Sequence, residues 1–143
     1  LIRDRVAAVL SDFEGQPVDF VELDCVRLGF AVVAAVFDME ADDVAAWVGM
    51  NEWSDEASAF AAVEAFGVTL GGCMVKAASA LGLTPARVSE ASVGAVGLAA
   101  QRGVLGATLC VLGPDGWMTA TGPEGLVAVP ADAVAQAWSA ARG

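Results

Sequence analysis

The sequence predicts an α+β fold, with helices first and a small antiparallel sheet after them. Two observations carry this. Up to Leu81 the apolar residues recur at helical spacing or fill helix-length runs. From Val88 onward, short apolar runs alternate with Gly- and Pro-containing turns too brief for a crossover helix, which implies an antiparallel meander. At 143 residues the chain is expected to form one domain, 1–143, that buries a core without staples.

The first helix is expected over Ile2 to Phe13. Ile2, Val6, Val9, Leu10 and Phe13 make one apolar face, and Arg3, Asp4 and Arg5 lie on the wet side. Gly15-Gln16-Pro17 breaks it, and Val18 to Val21 reads as an extended lead-in. A second helix follows from about Asp24 to Phe37, with Arg27 its only charge after Asp24. Such a helix, apolar nearly all round, is expected to be covered on several sides. Asp24 suits the N-cap, where a carboxylate accepts the free amide protons of the first turn. Cys25 then falls in that turn, where the positive end of the helix dipole favours thiolate.

Asp38 to Asp43 reads as a solvated acidic connection, because it lacks the glycine and distal Glu of a calcium loop. A short helical turn is expected at Val44 to Val48, a bend at Asn51 to Ser54, and a helix from Ser54 to about Phe66. Gly67 to Gly72 has no Lys-Ser or Lys-Thr pair at phosphate-loop spacing, so it reads as a helix stop and restart. The restarted helix runs through Cys73 to Leu81 and is ended by Gly82-Leu83-Thr84-Pro85. Strands are expected at Val88 to Ala100, Val104 to Leu112, Trp117 to Thr121 and Leu126 to Val129. Pro130-Ala131-Asp132 is expected to open a C-terminal helix, with Val134 and Trp138 four apart on its core face.

Charge excludes some functions. The formal net charge is −11, from 18 acidic and 7 scattered basic residues, so the basic footprint of a nucleic-acid binder is missing. An anionic membrane surface is disfavoured for the same reason. The apolar fraction is 57% and the mean hydropathy +0.62. Even so, Leu28 to Phe37 and Val104 to Leu112 are about half the roughly 20 residues of a membrane span. No signal-peptide pattern stands at the start of this numbering, and the chain is expected to be soluble. Its apolar excess points to partner contacts.

Cys25, Cys73 and Cys110 are far apart, with no Cys-x-x-Cys spacing, so neither a zinc site nor a disulfide framework is expected. Cys73 and Cys110 read as small buried hydrophobes. The chain has no histidine, which removes the Ser-His and Cys-His pairs and the commonest metal ligand. It has no tyrosine either. No cofactor and no metal are expected.

A helix headed by Asp24-Cys25 and followed by a β-meander resembles the papain-like NlpC-type peptidases that cleave cell-wall peptides. The chain is also similar to a short phage-encoded domain family of unassigned function from tail-module gene clusters. The segments that carry this likeness are Phe20 to Val36, Gly94 with Val104 to Cys110, and Gly113-Pro114-Asp115-Gly116. Gly125 to Pro130 and Ala137-Trp138 complete it. The resemblance implies a papain-like, NlpC-related topology with Cys25 at the nucleophile position. In the peptidases a Gly-Asp pair opens the first strand; here the match is Gly94-Ala95. Their second strand begins His-Val-Gly, and its His is the general base; here Val104-Leu105-Gly106 stands there. Valine cannot accept a proton. Asp24 is a poor substitute, because an ordinary carboxylate lies about four pKa units below a thiol, roughly 6 kcal/mol against proton transfer.

The resemblance therefore implies a pseudoenzyme in which Cys25, Asp24 and Val104 are vestigial. Its expected role is structural, in a siphophage-like tail tip or baseplate or in its assembly. Other tail proteins would be its partners, in multiple copies, and the virion or the host cytoplasm its location. Trp47, Trp53 and Trp117 are the candidate interface residues, since large aromatics are enriched at interface centres. Two alternatives stay open. One is an active peptidoglycan peptidase with Cys25 as nucleophile and a base from a neighbouring chain. The other is a binding module that uses the old cleft without chemistry.

Overall fold

A computed structural model of the chain describes residues 2–14, 25–40, 70–100, 107–121 and 125–140. Helix α1 spans Ile2–Phe13, with Val6 and Leu10 buried and Ile2, Val9 and Phe13 packed beside them. Arg3, Asp4 and Arg5 are exposed, as the spacing requires. Helix α2 spans Cys25–Phe37, and Leu28, Phe30, Val32, Val33 and Ala34 are all buried. Burial on more than one side follows from its packing on α1 beside it and on β3 and β4 of the sheet, which α1 also touches. Each large side chain so covered contributes about 1.5–3 kcal/mol.

Asp38 ends α2. It takes φ +58, and the next amide, on Met39, donates to the Ala34 carbonyl at 2.8 Å. This is a left-handed helix stop in which Asp does the work usually given to glycine. Helix α3 spans Leu70–Leu81, with Ala78 and Leu81 buried three apart. The helical turn expected at Val44 to Val48, the bend at Asn51 to Ser54 and the helix expected from Ser54 to Phe66 lie outside the described residues, as does the Val18 to Val21 lead-in.

The sheet has six antiparallel strands: β1 Leu83–Ala86, β2 Val96–Ala100, β3 Ala107–Gly113, β4 Gly116–Thr121, β5 Gly125–Val129 and β6 Val134–Ala140. Their spatial order is β1-β6-β2-β3-β4-β5. The meander expected from the short turns is present as β2 to β5, each strand pairing with the next. Three elements differ from expectation.

The stretch from Val88 to Ala100 is not one strand. A 3-10 turn occupies Val88–Glu90, and the chain turns at Gly94 (φ +98) before β2 begins. A side chain at Gly94 would also meet Val36, 2.6 Å from its Cβ, so both the backbone and the close helix require glycine.

The segment after Pro130 is a 3-10 turn, Ala131–Ala133, followed by β6 rather than a C-terminal helix. A spacing of four puts Val134 and Trp138 on one side of a helix, but also on one face of a strand, so it does not separate the two. Pairing decided the outcome. Strand β6 fills the gap between β1 and β2, where both its edges find hydrogen-bond partners. Its register on β2 shifts between Leu98 and Ala99, so Trp138, across from Val96, and Val134, clustered with Ala137, are buried on opposite faces of the sheet.

The segment expected only to end the helix, Gly82 to Pro85, instead contributes an edge strand, β1. Pro85 lacks an amide proton, which an edge strand tolerates.

Cross-strand partners share a face, so Val96, Val111 and Met118 line one side of the sheet. Val111, Met118 and Leu126 pack there with Val6, Leu10, Leu28 and Val32 of α1 and α2. The opposite face carries Ala95, Cys110, Trp117, Val134 and Ala137, also buried.

Candidate functional site

Cys25 is the first residue of α2, so its backbone stands where the helix dipole is positive. The packing of α2 shows which way that end faces. A Cβ built at Gly29 would lie 3.6 Å from Cδ1 of Leu109 on β3. At the other end of the helix, Val36 lies against Gly94, whose amide donates to the Leu112 carbonyl at 2.8 Å. Helix and strand therefore run in the same direction, with the first turns of α2 over Leu109 and its last turn beside Leu112. Cys25 precedes Gly29 by four residues, about 6 Å of helix, toward the Ala107 end of β3.

Asp24 and Val104 lie outside the described residues, as does the side chain of Cys25. The element that bears the thiol and the strand that follows Val104 in sequence are in direct contact.

Gly94-Ala95, the match to the peptidases' Gly-Asp pair, stands immediately before β2. Ala95 is 2% exposed and packs with Cys110, Trp117 and Ala137. A carboxylate in its place would enter an apolar cluster, at the cost of desolvating a charge.

The aromatic candidates divide. Trp117 is only 4% exposed and belongs to the core of the chain itself, so it is not a free contact residue. Its register across β3, Leu112↔Trp117, turns the indole inward on the face opposite α1 and α2. Trp47 and Trp53 lie outside the described residues. Trp138 is buried as expected, but on a strand.

The chemistry available can be read from burial. Arg3, Asp4, Arg5, Asp12, Glu14, Asp38, Glu40, Lys76, Arg87, Glu90, Asp115 and Asp132 are all exposed. The buried polar side chains among the described residues are Thr108 and Thr119. The Thr119 hydroxyl donates to the Leu109 carbonyl at 2.7 Å. Hydroxyls in such bonds hold strands together and do not accept protons from a thiol near neutral pH. Cys110 is fully buried and is not in a disulfide. Among the described residues no group of three or more Cys, Asp or Glu could hold a metal ion. Nor, among them, is any helix long and apolar enough to cross a membrane.

Sequence reasoning passed over the Thr119 to Leu109 bond. The signal for it was Thr119 alternating with Met118 and Ala120 in a strand, which puts the hydroxyl on the same face as Trp117.

The fold and this helix–strand pair define an α+β protein with a six-stranded antiparallel sheet and a cysteine at the head of its central helix. Residues 2–140 match the family described as a domain of unknown function, DUF6950, and the chain belongs to that family. No curated protein and no solved structure matches it.

Proposed function

We propose that this protein is a non-catalytic structural component of a phage tail tip, baseplate or tail assembly, built on an NlpC-type peptidase scaffold that has lost its general base. The observation that carries the reading is the union of two facts. A helix headed by Cys25 packs directly on the strand that follows Val104, and the chain holds no histidine. The arrangement keeps a thiol-bearing helix on a sheet without a histidine to activate the thiol. The phage assignment rests on the likeness of Phe20 to Val36 and of the Gly125 to Trp138 pattern to the tail-module family. The apolar excess of the sequence supports contacts with other tail proteins.

The test uses the phage that encodes the chain. Deletion should arrest tail assembly or yield defective particles, and a Cys25→Ala copy should restore them as well as the unaltered gene does. A Cys25→Ala protein that folds but fails to restore infectivity would overturn the non-catalytic reading. Normal particles after deletion would overturn the structural one.

One observation favours a second reading. Cys25 opens α2, where the helix dipole lowers the pKa of a thiol. A base donated by a neighbouring chain would then make an active peptidoglycan peptidase. Cleavage of cell-wall peptides by the assembled complex but not by the isolated chain, lost in Cys25→Ala, would establish it.

A further inference from the structure

We draw no further inference here: the strongest candidate, the outer edge of the sheet at β5, whose residues Gly125–Val129 carry no charge and no proline, carries nothing, because nothing in the structure shows what covers it.

Discussion

Trp117 roofs Gly97 from two strands away. A Cβ built at Gly97 would stand 2.8 Å from Cζ3 of the indole, 2.9 Å from Cγ1 of Val134 and 3.1 Å from Sγ of Cys110. The ring can reach across β3 because β2 presents no side chain at that point. Strand propensity alone says that Gly97→Ala should stabilise β2. Packing says the reverse, since a rigid ring and a branched side chain must both give way. We expect Gly97→Ala to lower stability by about 1–3 kcal/mol, measured by urea unfolding. The loss should shrink when Trp117 is also replaced by Leu, which frees the space. A Gly97→Ala protein as stable as the original would show that the indole does not sit there.

The Thr119 hydroxyl makes a bond that the strand ladder does not. The β3–β4 register runs from Gly113↔Gly116 to Val111↔Met118, and beyond it Thr119 donates to the Leu109 carbonyl at 2.7 Å. Thr119 is buried, so water does not replace a lost donor easily. Thr119→Val keeps the volume and removes the donor. It should cost about 1–3 kcal/mol, while Thr119→Ser, which keeps the hydroxyl, should cost about 1 kcal/mol for the lost methyl. Equal losses in the two variants would assign the whole effect to packing.

Asp38 carries two local penalties. A side chain at φ +58 is strained relative to glycine, and its carboxylate sits at the negative end of the α2 dipole. Asp38→Gly removes both, against the added freedom glycine gives the unfolded chain. The net gain expected is about 0.5–1 kcal/mol, or roughly 2–4 °C in Tm for a chain of this size. Asp38→Asn should recover only the charge part. A fall in Tm for Asp38→Gly would mean that the Asp38 side chain makes a compensating contact.

The two amphipathic or apolar helices and the meander were legible because each depends on a pattern within one stretch of chain. Val6 and Leu10 had to share a face, and α2 had no polar face to turn outward. The turn at Gly113 to Gly116 also declares itself locally, through a Pro and a glycine with φ +130. Strands β1 and β6 escaped because their identity depends on one another. Leu83–Ala86 is short and holds a proline, and Val134–Ala140 is rich in alanine, a good helix former. Only the pairing of Pro85 with Trp138 and of Val96 with Trp138 makes both extended. The same limit applied to Trp117. Its residue type suggested a contact surface, but the facing Gly97 made room for it indoors.

The functional proposal supposes that Val104 stands opposite Cys25, as the base does in the peptidases, and this can be tested by restoring the histidine. Val104→His would, on that proposal, supply the missing imidazole three residues before the strand on which α2 packs. In the unaltered protein the helix terminus alone should leave Cys25 close to an ordinary thiol, alkylating with a midpoint of about 8 or above. In Val104→His an adjacent imidazolium should hold the thiolate and draw the midpoint below about 7.5. Val104→Asn, of similar bulk but not basic, should leave the midpoint where it was. Site-resolved mass spectrometry is required, since Cys73 and Cys110 are thiols as well and Cys110 is fully buried. Circular dichroism shows whether each variant is folded. An unchanged midpoint in a folded Val104→His protein would mean that Val104 does not occupy the base position, and the peptidase ancestry would lose its chief support. A midpoint already below about 7.5 in the unaltered chain would favour the active enzyme instead.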